Sequence, residues 1–370
     1  MLSSRFLAQA RTGRFMLSSS RPSLLSSPFP TQARPLLPFS PASALLSSTT
    51  SPGGATSSHP PRSAFDVAAR ALALQFSLAR WGLEAAHQDR GMSDDRLARS
   101  LHALQQSTTD TDLSDFMTPM ERAGITTGIG AWPKERLSHY ADAWESFGTL
   151  LWLLGDQLPT SEAMGQRGLE LPGITQGFDR SMVFRATGVL PADPSTVPKF
   201  FSRLSQEQMR EEKERKMALQ EAEMWLWRVR AARMEAVGEQ EGTKLSPSMR
   251  QFLRKLPEVI RAMSERAHQA GWAGMPVDGD FPVECATDSA EVGQQQEGVV
   301  IQPFREAGRA TQEALGGMVI ARRRALLWSA GRIDQWPDTM EESEEEESIG
   351  SGSGGPIRVD LPGSPWSVDV

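Results

Sequence analysis

The first long run of apolar positions begins at Phe65 and recurs with helical spacing. Apolar residues fill a wide helix face as far as Leu83, and Asp66 places an acid at the start of the pattern. A second helical pattern begins at Ser93, a residue type that favours the N-cap position, and continues to Leu104. The sequence therefore predicts two helices in this region, the first of them well buried.

A third helix is predicted from Pro133 to about residue 158. Pro133 suits the first turn of a helix, and apolar residues then recur at steps of three or four. The stripe consists of Tyr140, Trp144, Phe147, Leu151, Leu154 and Leu158. Residues 160–193 contain many glycines and prolines without a sustained period, so we interpret them as a long irregular connector.

The C-terminal half of the chain predicts three more helices, at 205–237, 248–268 and 305–331. The first of these carries a charged face in its first half and two adjacent apolar stripes in its second half, which indicates burial on two sides. Only the short segments 281–283 and 299–301 suggest strands. The predicted fold class is therefore mostly α, an irregular helical bundle with long loops.

The two ends of the chain differ from the predicted bundle in composition. Residues 1–65 contain six arginines and no Asp or Glu, whereas residues 338–370 contain nine acids and one arginine. We predict a transit peptide and disordered spacer at 1–64, a helical domain at 65–337 and an acidic, Gly/Ser-rich disordered tail at 338–370. The helical domain could divide into halves at 65–160 and 194–337, joined by the irregular connector.

The basic, Ser-rich start of the chain favours import into the mitochondrial matrix. A plastid destination fits the same composition, and a cytoplasmic location follows if the segment is only a disordered tail. The longest apolar run is far shorter than the roughly 18 to 20 residues that a transmembrane helix needs, so no transmembrane segment is predicted.

The sequence lacks the residues that several kinds of functional site require. The single Cys285 cannot form an internal disulfide or a cysteine-pair zinc site, and the five histidines do not fall at metal-ligand spacings. The glycine-containing stretch at 124–130 lacks the lysine and the preceding strand of a phosphate-binding loop. No catalytic residue, metal or cofactor is predicted. A net charge of −7 without a basic face disfavours nucleic-acid binding.

Three short segments, together with the helical stretch WESFGTLLWLLG at 144–155, resemble a known family. The three are AEMWLWRVR at 222–230, the Asp-Phe pair at 280–281 and RRRALLWSAGRIDQW at 322–336. In their order and spacing they resemble the family called domain of unknown function 4272, which implies a helical protein and supplies no activity. The positions that match the family pattern are Glu223, Trp225, Trp227, Arg228, Asp280, Phe281, Arg322 and Trp328. Ala321 and Leu327 depart from it, because the pattern tends to be acidic and polar there.

The aromatic members of this set are predicted to be core residues, and the charged members are the candidate site. Helical spacing among small apolar residues favours a packing role. The predicted structural core is Trp144, Trp152, Trp225, Trp227, Phe281 and Trp328. Glu223, Arg228, Asp280 and Arg322 lie on segments expected to be buried, where a charge must be paired or line a cleft.

Two interpretations of these four charges stay open. They form either an ion-pair network that locks helices together or a pocket in which arginines receive an anionic ligand. A convergent pocket would favour a ligand binder or an enzyme, and sealed charges would favour a structural role. The leading functional hypothesis is a non-catalytic organellar protein that binds or assembles an unknown protein partner.

Overall fold

A computed structural model shows that the chain is mostly helical. It describes residues 60–89, 91–155, 169–204, 209–239, 246–286, 299–337, 358–360 and 367–369. The helices are α1 Ala64–Gln88, α2 Asp94–Asp110, α3 Pro119–Thr126, α4 Lys134–Leu153, α5 Arg180–Ala186, α6 Thr196–Phe201, α7 Glu212–Glu239, α8 Pro247–Gln269 and α9 Arg309–Ser329. The prediction of a helical bundle with long loops is confirmed, and the long predicted helices all have counterparts.

Helix α1 lies at the centre of one half of the core because nearly all of its sides are apolar. Ser63 and Asp66 form a reciprocal capping box that starts the helix, and every residue from Val67 to Leu78 is buried. It packs against α2, α3 and α4. A helix buried on all sides cannot carry a charged side chain without a partner, which bears on the site described below.

The remaining long helices form a row next to α1. Helix α4 packs against α9, α9 against α7, and α7 against α8. Close approach in this row uses a glycine of α9, since a Cβ atom at Gly316 would lie 3.2 Å from the Val229 side chain of α7. Helix α9 therefore lies between α4 on one side and α7 on the other.

Two clusters of buried apolar residues share α7 and α9. The first cluster gathers α1, α4, the start of α7 and the end of α9, and the second gathers the middle of α7, α8, the strands and the start of α9. The six predicted core aromatics are all buried. The division between the clusters thus runs across these two helices and does not separate 65–160 from 194–337.

The described strands form two separate antiparallel ladders. Strand β1, Pro282–Ala286, pairs with β2, Val299–Pro303, and both segments had been predicted as strands. Strand β3, Arg358–Asp360, pairs with β4, Ser367–Asp369. A 3-10 turn, Phe304–Glu306, joins β2 to α9.

Several predicted segments lie wholly or partly outside the described residues. These are 1–59 of the predicted transit segment, 156–158 at the end of the third predicted helix, 160–168 of the connector and most of the acidic tail. The described part of the connector is irregular except for α5, which Asp179 caps by accepting from two backbone N–H groups. Within the tail that was predicted to be disordered, the six residues of β3 and β4 form an antiparallel ladder.

Candidate functional site

The four nominated charges do not converge on one pocket. Arg228 and Asp280 contact each other, whereas Arg322 binds a carboxylate on a different helix. Glu223 is half-buried on α7, and no hydrogen bond joins it to another residue that the structure describes. The arrangement is therefore one ion pair between nominated residues, a second pair with an unpredicted partner and a separate glutamate.

The Arg228–Asp280 pair is sealed from solvent. Arg228 Nε donates to Asp280 Oδ1 at 2.6 Å and its Nη2 donates to Oδ2 at 2.7 Å, with both residues fully buried. The guanidinium also donates to Glu235 at 3.1 Å and lies over the Phe304 ring. A two-point contact of this kind fixes orientation as well as distance.

Asp280 also holds one end of the β1–β2 ladder, the end where β1 begins and β2 ends. Its Oδ1 accepts from the backbone N–H of Phe281, which precedes β1, at 2.7 Å. Its Oδ2 accepts from the backbone N–H of Arg305, which follows β2, at 3.0 Å. One carboxylate thus accepts from α7 and from both strand ends, so the Arg228–Asp280 pair holds the base of the ladder against the helical core.

Arg322 makes a second sealed pair on the other side of α9. Its Nε donates to Glu145 Oε2 on α4 at 2.8 Å, and its Nη1 donates to the Pro172 carbonyl at 2.6 Å. Glu145 Oε1 accepts the backbone N–H of Phe178 at 2.9 Å, and Arg322 lies over the Phe178 ring. This pair connects α4, α9 and the loop before α5.

Two more buried pairs lie on α1 and were not predicted. Arg70 donates to both carboxylate oxygens of Glu121 on α3 at 2.6 Å. Arg80 donates to Glu84 at 2.6 Å, and both side chains are fully buried. Glu84 in turn accepts the backbone N–H of Gly130, at the end of the glycine-containing stretch 124–130, whose first three residues belong to α3. These pairs attach α3 and the turn before α4 to α1.

A signal for the α1 pairs was present in the sequence. Arg70 and Arg80 interrupt an otherwise apolar stretch whose width already predicted burial on several sides, and a buried arginine requires a carboxylate. Glu121 is the one acid of α3 and Glu145 is one of three on α4, and their local sequence does not show which of them pairs with a buried arginine. Their pairing depends on how α3 and α4 pack.

Two half-buried carboxyls beside α9 have raised pKa values. Burial raises the pKa of Asp142 on α4 to about 6; the negative charge of Glu145 adds to this, while Arg180 and Arg324 oppose it. Burial raises the pKa of Glu221 on α7 to about 7, opposed by Arg322. Both groups lie at helix contacts and neither faces a described cavity of substrate size, so their consequence is a pH dependence of stability.

A small cavity lies between α1, α3, α4 and α9. It is lined by polar groups of Glu121, Tyr140 and Ser146, and its volume of about 10 Å³ is room for about one water molecule. Burial also raises the pKa of the Tyr140 hydroxyl, which stays protonated at neutral pH. This cavity is too small for a metabolite.

The described residues contain neither a candidate metal site nor a candidate membrane span. No three His, Cys, Asp or Glu side chains there lie close enough to hold a metal ion. None of the helices in the described ranges combines the length and apolarity that crossing a bilayer requires.

Strand β2 exposes apolar side chains on both of its faces, because successive residues of a strand point to opposite sides. Val299, Val300 and Ile301 are consecutive on β2 and are 65, 45 and 57% exposed. Met275 is also 73% exposed. It follows Gly274, whose backbone packs on Pro282 of β1. Consecutive exposed β-branched residues on a strand are a feature of interaction surfaces.

The ladder register shows which backbone groups of β2 face away from β1. Phe304 N–H donates to the Phe281 carbonyl, so hydrogen-bonded pairs alternate from there and include Gln302 with Val283. Val299 and Ile301 direct their backbone N–H and carbonyl groups outward, whereas Pro303 is buried and its carbonyl begins the 3-10 turn Phe304–Glu306. We call this the β2 free edge: it offers the N–H and carbonyl groups of Val299 and Ile301.

The comparisons with known proteins give no relative. No family model matches the chain, and no curated protein or solved structure is significantly similar to it. The functional argument therefore rests on the geometry above.

Proposed function

We propose that the protein is a non-catalytic, partner-binding or assembly protein, and that its partner adds an extended strand to the β2 free edge. The observation that carries this proposal is the run of three exposed apolar residues, 299–301, on a strand with unpaired backbone groups. Strand addition satisfies the outward N–H and carbonyl groups while covering the apolar side chains.

The buried ion pairs support this function by holding the surface in place. Arg228 and Asp280 join α7 to the end of the β1–β2 ladder where β1 begins and β2 ends, so this end is fixed to the helical body. A pre-formed edge loses less conformational entropy when a partner binds. Arg228 and Asp280 are positioning residues in this proposal.

The alternative of an anionic-ligand pocket is less well supported by the geometry. Arg228 and Arg322 donate to buried carboxylates on different sides of α9, and Glu223 joins neither pair. A ligand would have to displace a two-point internal contact to reach Arg228, at the cost of leaving a buried carboxylate without its cation.

The mitochondrial matrix remains the location that we propose for this interaction, because the start of the chain is basic, Ser-rich and free of acids. Membership of the family called domain of unknown function 4272 is likewise a proposal, supported by the order of the three segments that carry the resemblance.

Site-specific photo-crosslinking tests the proposed function. We would place a photoreactive amino acid at Ile301 of the full chain in cells that make the protein, and at Leu190 as a matched control. Leu190 is 60% exposed and lies away from the ladder in the α5–α6 loop. We expect one protein to crosslink at 301 and not at 190. The purified partner should then lower amide exchange at 299–301 of the purified full chain.

Two results would contradict the proposal. One is an identical set of crosslinked proteins at both positions, which would indicate non-specific contact. The other is a purified partner that binds without changing exchange at 299–301, which would place its binding surface elsewhere.

A further inference from the structure

The C-terminal segment 356–370 has the pattern of an amphipathic two-stranded hairpin. Apolar and polar residues alternate over 357–361 and again over 366–370, with Pro and Gly between them. The apolar positions are Ile357, Val359, Leu361, Trp366, Val368 and Val370. In the structure, β3 and β4 lie within these two stretches and are antiparallel.

The register of this ladder follows the sequence pattern. Val359 is opposite Val368, and Arg358 is opposite Asp369, so apolar positions pair with apolar positions and an arginine position with an acid. Directly opposite positions lie on the same face of a ladder. By this register Val359 and Val368 fall on one face of the β3–β4 ladder, and the charged and polar positions fall on the other.

Neither ladder is expected to be stable as an isolated pair of strands. A two-stranded hairpin is marginal in water, and three or more strands or a packing surface are needed for stability. The β3–β4 ladder has an apolar face in need of a surface, and the β1–β2 ladder has the apolar, unpaired β2 free edge. Joining them would give four strands.

The length of chain between the two ladders permits this contact. The described helical body ends at residue 337, and eighteen residues separate it from 356. A flexible chain of that length has a root-mean-square span of about 24 Å and a maximum of about 60 Å. A body of this size has a radius of gyration of about 19 Å. Much of its surface is therefore within reach.

We propose that the C-terminal segment 356–370 docks on the β2 free edge of its own chain, with one of its strands extending the β1–β2 ladder. This inference deepens the proposed function. It implies that the segment and the partner compete for the same edge, and that competition rests on the proposed function. The segment is then an intramolecular occupant that the partner must displace.

Amide hydrogen exchange at single residues tests the docking. In the β1–β2 ladder alone, the N–H of Gln302 is bonded to β1 and that of Ile301 is free. We expect slow exchange of Ile301 in the full chain and an acceleration on the order of tenfold or more when residues 356–370 are deleted. Gln302 should exchange at the same rate in both proteins, which shows that the ladder itself is intact.

Substitutions within the full chain provide a second test. Val368→Pro breaks the strand pattern of the segment and should accelerate Ile301 exchange as the deletion does. The matched control is Ser351→Pro, which makes the same change between the helical body and the segment and should leave Ile301 protected. The protection should also be independent of protein concentration.

Three results would overturn the docking proposal. The first is equal exchange of Ile301 in the full and the shortened chain. The second is protection that survives the deletion and rises with protein concentration, which would identify a second copy of the chain as the occupant. The third is equal exchange of Ile301 in the Val368→Pro and Ser351→Pro chains.

The two proposals fail in different ways. If Ile301 exchanges freely in the full chain but a partner crosslinks at position 301, the docking is wrong and the proposed function stands. If Ile301 is protected by the segment but no separate protein crosslinks at 301 in the chain lacking residues 356–370, the docking stands and the proposed function is wrong.

Discussion

Replacing Arg228 by alanine should lower the free energy of unfolding by about 3 to 5 kcal/mol. The change removes both guanidinium contacts to Asp280, at 2.6 and 2.7 Å, from a site in which neither residue is exposed. It also leaves space beside the Phe304 ring. The cost arises because a carboxylate stays buried without its cation.

The structure also predicts that Asp280→Ala costs more than Arg228→Ala. After loss of Arg228, Asp280 still accepts from the backbone N–H groups of Phe281 and Arg305. After loss of Asp280, those two N–H groups lose their acceptor, although Arg228 keeps Glu235 at 3.1 Å. A buried donor without a partner costs about 1 to 3 kcal/mol, so we expect a difference of that order between the variants.

Urea unfolding followed by tryptophan fluorescence and by far-ultraviolet circular dichroism measures both effects. The fluorescence sums over the ten tryptophans, among them Trp225 beside the Phe281 ring, and reports core packing, whereas the dichroism reports the helices. Coincident transitions would justify a two-state analysis. The matched control is Arg309→Ala, which breaks an exposed Arg309–Glu313 pair and should cost no more than about 0.5 kcal/mol.

The reasoning would be refuted if Arg228→Ala were no more destabilising than Arg309→Ala. The predicted order of the two variants would be wrong if Asp280→Ala lowered the free energy of unfolding less than Arg228→Ala. In that case the backbone donors at the base of the ladder would not depend on Asp280.

Two more predictions concern a helix contact and pH. Gly148→Ala in α4 should destabilise the fold by about 1 to 3 kcal/mol, because its Cβ would lie 2.5 Å from the Phe178 ring. Gly82→Ala in α1 meets nothing within 4 Å and should stabilise the fold by up to about 1 kcal/mol. Thermal melting of both variants measures this, and equal shifts of the melting temperature would contradict the prediction. The folded-state pKa of Asp142, about 6, lies above its ordinary value of 3.8, so the folded state binds the proton more tightly and stability falls as pH rises from 4 through 6. Asp142→Asn should remove that loss of stability, which is worth up to about 3 kcal/mol at pH 8. Unfolding curves at pH 4 and pH 8 measure it. The prediction is refuted if the free energy of unfolding changes equally with pH in the variant and the wild type.

The helices could be predicted from the sequence because their signals are local. The stripe of α4 and the Pro247 start of α8 depend on spacing and residue type within one segment. The start of α4 illustrates the limit of such signals, since Pro133 is the N-cap residue and the helix begins one residue later. Boundaries of this kind depend on the backbone geometry of a single turn.

The candidate site could be predicted only in part because its partners are distant in sequence. Arg228 and Arg322 were nominated from their burial, but Glu145 lies 177 residues from Arg322 and becomes its partner only when α4 packs on α9. The β2 surface was hidden for a different reason. A short run of β-branched residues such as 299–301 is typical of a buried strand, and its exposure depends on which side of the ladder the helices cover.

The buried pairs and the exposed edge are parts of one arrangement. Apolar packing alone leaves a two-stranded ladder free to shift on the helices, because contacts between apolar side chains have little directionality. Asp280 removes that freedom by accepting from Arg228 on α7, from Phe281 before β1 and from Arg305 after β2. If the edge binds a strand, loss of Arg228 should therefore weaken that binding as well as the fold, even though Arg228 never contacts the partner.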